Sequence, residues 1–199
     1  DTKDGPFNDC GAFGSPNWLE FDPKYPHLVY VAADRGAGDE NEGNGNMRIL
    51  DLKNQYVGTA LTEGDMGGTN RGRALAFFDE NHMAVAVDQG DELRAAVYGF
   101  TRNREAPEGD ERNYKMWGNR LALVNFKACN TVTFHPVDGD MYFNSWDKGQ
   151  FFKVEKQQIQ EIFDGTRTTP ADKEVLFQMD NGWEYNILSL IRISEPTRP

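Results

Sequence analysis

Three of the four tryptophans, Trp18, Trp146 and Trp183, stand beside turn-forming residues. An indole in such a place can stack on a sugar ring or a peptide. Asn17, Arg73 and Asn130 precede short apolar runs and can add polar contacts. Gln89 and Lys148 sit in turns of a matching kind. These eight residues are the candidate ligand contacts, with Trp146 foremost because it falls where a turn begins. Trp18 and Trp183 have a competing role, packing between neighbouring sheets. Bond-breaking chemistry is poorly supplied. The chain has 3 histidines, His27, His82 and His135, and each lies in or beside a different turn. No Gly-x-Ser-x-Gly elbow and no zinc motif occurs. The run Asp39-Glu40-Asn41-Glu42-Gly43-Asn44-Gly45-Asn46 offers the oxygens that calcium wants, but not at EF-hand spacing, and it reads as a solvated loop. No catalytic residue, metal ligand or cofactor is expected from these residues alone. Carboxylates from further repeats would be needed to complete a hydrolase or lyase site.

The candidates are carried on a repeat. Trp18-Leu19-Glu20-Phe21-Asp22-Pro23 leads to Leu28 through Gly36. Ala74-Leu75-Ala76-Phe77-Phe78-Asp79-Glu80 leads to Met83 through Gly90. Val132-Thr133-Phe134-His135-Pro136 leads to Asp140 through Gly149. Phe21, Phe78 and Phe134 mark a period of about 57 residues. Each unit reads strand, short turn, strand, then Asp-x-Gly at Asp34/Gly36, Asp88/Gly90 and Asp147/Gly149. Asp bonds its own backbone in a turn, and Gly accepts positive φ. Third strands are expected at Met47 to Leu52, Leu93 to Phe100 and Gln150 to Glu155. Fourth strands are expected at Tyr56 to Leu61, Arg120 to Phe126 and Glu174 to Met179. A helix is expected at Lys156 to Phe163. Four antiparallel strands at this period describe a propeller blade. The sequence therefore predicts an all-β fold of about three four-stranded blades, with a fourth opening at Gly182-Trp183-Glu184-Tyr185-Asn186-Ile187.

Charge narrows the partners. Lys+Arg number 21 against 32 Asp+Glu, a net charge of −11. That argues against nucleic acid and against an anionic membrane surface, both of which demand a basic face. No apolar run approaches the roughly 20 residues that span a bilayer. The chain opens on Asp1-Thr2-Lys3-Asp4-Gly5, which reads as the middle of a protein. Cys10 and Cys129 can be a disulfide or two thiols.

Asp4-Gly5-Pro6-Phe7-Asn8-Asp9 with Ala12-Phe13-Gly14-Ser15-Pro16 resembles the opening of an NHL repeat. Phe134 to Ser145 and Asp180 to Ile187 are more specific. They resemble the NHL-repeat region of Bacteroidota surface proteins that carry an IPT/TIG domain ahead of a propeller. The resemblance covers nearly all of residues 4–187 and departs from it at Gly38 to Asn46 and Asn103 to Asn119. It implies a non-enzymatic, extracellular or outer-membrane-surface binding module for a carbohydrate or protein ligand, within polysaccharide utilisation. It further implies an upstream IPT/TIG domain and further C-terminal blades. The alternatives are an interaction scaffold or part of a propeller hydrolase or lyase.

Propeller topology puts the second-to-third and fourth-to-first connections on one face, beside the central channel, where ligands sit. The insertions Asn103 to Asn119 and Lys156 to Lys173 fall on the other face. An open three-blade array should expose Phe21, Val29, Val31, Ile49 and Leu50 of its first blade. The last twelve residues, Leu188 to Pro199, resemble a translated transposase-type sequencing adaptor, with Arg192 where His is usual. The expected division is an incomplete propeller over 1–187 and a non-native tail over 188–199.

Overall fold

The structure, a computed structural model, describes residues 3–10, 16–33, 46–67, 71–88, 95–109, 111–126, 129–145 and 149–178. Its first sheet holds β1 (Gly5–Pro6), β2 (Pro16–Phe21), β3 (Leu28–Ala33), β4 (Met47–Asp51) and β5 (Tyr56–Leu61), in the order β1-β5-β4-β3-β2. The second is β6 (Arg71–Phe77), β7 (His82–Asp88), β8 (Ala95–Arg102) and β9 (Trp117–Asn125), paired in sequence. The third is β10 (Thr131–Phe134), β11 (Met141–Ser145), β12 (Gln150–Val154) and β13 (Glu174–Gln178), with the helix α1 (Lys156–Phe163) inserted before β13. Every pairing is antiparallel. The fold is all-β, a propeller-like fragment of three blades, and the helix spans the expected residues.

The period of two along each strand decides which blade each side chain meets. On β7, Met83, Val85 and Val87 enter the core shared with the first sheet, beside Leu28, Tyr30 and Ile49. Ala84 and Ala86 enter the core shared with the third sheet, beside Val132, Met141 and Phe143. Both faces of β7 are buried, which is why it reads as an unbroken apolar run. Each large side chain so buried contributes about 1.5–3 kcal/mol. At the inner edge, β6 touches β2 on one side and β10 on the other. These first strands converge as the innermost strands of blades do.

Three expectations need correction. The first sheet has a fifth strand: Gly5 and Pro6 pair with Val57 and Tyr56 on its outer edge. The repeat register runs through Phe77, not Phe78. Phe21, Phe77 and Phe134 pair with Val29, Met83 and Met141, and the next residue in each case starts the turn. Most of the first blade's residues expected to be exposed are buried: Val29 at 6%, Val31 at 2% and Ile49 at 0%, with Leu50 intermediate. Ile49 faces the second sheet. On the other face, residues 3–10 reach the outer strands. Asp4 pairs with Arg48 and accepts from Thr59, and Lys3 offers its carbonyl to Arg48. Only Phe21 meets the expectation, 61% exposed beside Leu19 at 62%.

Candidate functional site

The loop face begins where the innermost strands start. Asn17 and Arg73, expected ahead of these strands, lie inside β2 and β6, and at the same place in each. The register of β2 on β3 shifts between Pro16 and Trp18, and that of β6 on β7 shifts between Gly72 and Ala74. Each is the extra residue of a β-bulge, a device that re-aims a side chain at a sheet's rim. Gly72 beside Arg73 has a packing reason. A methyl group there would lie 3.0 Å from Met47 Cε and 3.2 Å from Met66 Sδ.

The third blade differs. Asn130 precedes β10, and its N–H donates to the Asn144 carbonyl at 3.2 Å. β10 and β11 then pair without a shift, starting from Thr131 and Asn144. Behind Asn130 the Thr131 hydroxyl donates to Asn144 Oδ1 at 2.6 Å, and both residues are buried. Cys129 is buried beside them, its thiol donating to the Thr131 carbonyl at 3.2 Å. Cys10 and Cys129 form no disulfide.

Trp18 is half-buried and packs against both apolar cores. Its indole Nε1 is buried with no hydrogen-bond partner among the described residues. The turn after β5 forms another part of this face. Asp65 accepts from the Thr62 N–H and hydroxyl at 2.7 Å, and Asn46 Oδ1 accepts from the Glu63 N–H at 3.0 Å. Trp146, Lys148, Gln89 and Trp183 lie outside the described residues, as do the loops 34–45, 89–94 and 146–148.

The other face carries the histidines in or beside separate turns. His82 Nδ1 lies 2.9 Å from Asp79, and His135 Nδ1 lies 3.0 Å from Asp138. His27 is half-buried in the turn before β3. Among the described residues no group of three or more His, Cys, Asp or Glu could hold a metal ion, and no helix is long and apolar enough to cross a membrane.

Sequence reasoning missed a buried polar network on that side. Arg102 Nη2 donates to both Asp22 oxygens at 2.9 and 2.8 Å, with the two side chains 2% and 0% exposed. Its guanidinium lies over the Trp117 ring at 4.4 Å and the Tyr25 ring at 5.2 Å. Trp117 Nε1 donates to the Tyr30 hydroxyl at 2.8 Å, which donates on to Asp22 Oδ2 at 3.1 Å. Burial, and then the Asp22 carboxylate, push the Tyr30 hydroxyl well above its ordinary pKa, so it stays a donor. Asp22 and Arg102 are eighty residues apart in the chain, and no local signal joins them.

Of the expected contacts, Asn17, Arg73 and Asn130 thus stand at or beside the starts of the innermost strands, and Trp18 is taken up by core packing. No protein-family model matches the chain, and no curated protein does. Solved structures do. An auxiliary nutrient binding protein from Bacteroides thetaiotaomicron is 29% identical with a TM-score of 0.65, over 92% of this chain and 35% of its own. One from Bacteroides ovatus is 25% identical with a TM-score of 0.62, over 91% and 35%. A second Bacteroides thetaiotaomicron protein, whose name proposes a phosphatase, is 26% identical with a TM-score of 0.73, over 92% and 40%. The chain spans 35 to 40% of the length of these neighbours.

Proposed function

We propose that this chain is part of an extracellular or cell-surface nutrient-binding propeller, and that its loop face takes a glycan. The observation that carries the reading is the pair of auxiliary nutrient binding proteins that match it over 91 and 92% of its length. The bulged rim residues Asn17 and Arg73 supply side chains suited to that use. The blades are read as NHL-type, following an IPT/TIG domain and continued by further blades. Residues 188–199 are read as non-native, and independent genomic clones encoding the same twelve residues would refute that.

A glycan array with the full-length protein should give discrete carbohydrate hits. On the best of them Trp146→Ala should cost about 1–3 kcal/mol, as loss of one stacking anchor does. Unchanged affinity with the fold intact moves the site away from Trp146. A second reading, hydrolysis, rests on the neighbour named for a phosphatase. Turnover of p-nitrophenyl phosphate by the full-length protein, with no array hits, would favour it.

A further inference from the structure

Blades radiate from an axis. Their inner strands touch, and their outer strands diverge and leave a wedge between neighbouring sheets. Small side chains suit the inner end, where Ala74, Ala76, Ala84 and Ala86 pack toward the third sheet. The outer end needs a filler, and both insertions supply one.

Between β8 and β9, residues 103–109 and 111–116 leave the second sheet and lie on the first. Lys24 Nζ meets Glu105 at 2.8 Å, and the Tyr25 hydroxyl meets the same carboxylate. Tyr114, fully buried, lies against Gly58 of β5, where a methyl group would fall 2.6 Å from its Cγ. The Tyr114 ring stacks on Tyr56 at 5.8 Å, and its hydroxyl donates to Asp51 at 2.8 Å. Burial alone would raise the Asp51 carboxyl. Hydrogen bonds from the Asn54 N–H, the Tyr114 hydroxyl and the Asn54 amide outweigh it and hold the group below its ordinary value.

The segment between β12 and β13 repeats the manoeuvre one blade later. Ile159 and Ile162 of α1 enter the core between the second and third sheets. Phe163 lies on Gly99 of β8, where a methyl group would fall 2.7 Å from its Cε1 and 2.9 Å from Leu123 Cδ2. Phe78 and His82 hold its ring at 5.6 and 4.4 Å. The Ala171 N–H donates to the Leu123 carbonyl at 2.8 Å, and Lys173 Nζ donates to the Asn125 carbonyl at 3.1 Å.

We propose that the two insertions are one device used twice: each is a clasp by which a blade grips the outer strands of the blade before it, through an aromatic ring seated on a glycine. The contact between inner strands sets the hinge, and the clasp sets the angle. The clasps run one way, from each blade to its predecessor. The first blade's own connection at 52–55 is a tight turn with Gln55 at φ 50, too short to reach another sheet. The inference is independent of any ligand.

Hydrogen exchange on the 199-residue chain, read peptide by peptide, tests the direction. Tyr114→Ala should speed exchange in 47–51 and 56–61 about tenfold or more and spare 141–145 and 150–154. Phe163→Ala should do the same to 95–102 and 117–125 and spare 47–61. Tyr114→Phe keeps the ring on Gly58 and should recover most of the protection. Where Tyr114→Ala does not fold, Gly58→Val closes the seat from the other side and should loosen the same peptides. Loss confined to the sheet that carries the insertion, or spread evenly over all three sheets, overturns the proposal.

Discussion

The strands β7 and β13 are both apolar runs between polar ends, and their surroundings are opposite. Met83 to Val87 of β7 are all 0% exposed, because the first and third sheets cover its two faces. On β13 every residue is exposed, with Val175 at 49%, Leu176 at 42% and Phe177 at 41%. The difference comes from position in the array. A blade side chain is worth what the neighbouring sheet makes it worth, as in other stacked repeats.

The sharpest break of that comparison lies within the third sheet. Phe143 is 0% exposed and stacks on Phe152 at 4.8 Å, facing the second sheet. Phe143→Ala should cost about 3–5 kcal/mol in urea unfolding. Phe177→Ala removes the same ring from the outermost strand and should cost under about 1 kcal/mol. Equal losses would mean that the second sheet contributes nothing special to the third.

Charge pairs follow the same logic with an effect of similar size. Asp22 and Arg102 join the first and second blades in the interior, whereas Lys3 and Asp9 pair at 52% and 71% exposure. Asp22→Ala strands a buried guanidinium that already has one nitrogen, Nη1, without a partner among the described residues. It should cost about 3–5 kcal/mol. Asp9→Ala should change stability by under about 0.5 kcal/mol, since water screens the exposed pair. A thermal melt of both variants decides, and similar midpoints would remove the interior network from the list of blade contacts.

The strand β7 was readable in the sequence, because burial on both faces writes an apolar run between turn residues, whereas the outer strands of its blade fall at Ala95–Arg102 and Trp117–Asn125, two to three residues off the expected starts. The helix at Lys156 to Phe163 falls where the sequence placed it, and Gly149 takes the positive φ of 59 that its place in the repeat requires. β1 was not legible: two residues, one a proline, carry no period, and their partners Val57 and Tyr56 lie some fifty positions on. The register error at Phe77 arose because two phenylalanines adjoin and only the pairing with Met83 separates them. The bulges at Asn17 and Arg73 need a partner strand to exist at all, so composition shows only that polar residues stand there. Of the eight candidate contacts, the sequence could mark residue type and turn position. Trp18's place between two cores depends on packing that no single strand encodes.

The smallest effect on stability should come from the first blade's open face, where its consequence for association is large. Leu19 and Phe21 project from β2 on the side away from the second sheet, and both are about three-fifths exposed. Little folding energy depends on them, so Leu19→Ser with Phe21→Ser should shift stability within about 0.5 kcal/mol. An exposed pair of large apolar side chains on a sheet's inner strand still favours contact with another apolar surface. The chain should therefore associate, and β13, with its apolar residues on both faces and an outer edge, is the surface it offers in return. Light scattering after size exclusion should find the parent chain oligomeric and the double variant shifted toward monomer. A parent chain that is already a stable, cooperatively folding monomer would show that three blades satisfy one another without a fourth, and the contrast between β7 and β13 would then carry no consequence for assembly.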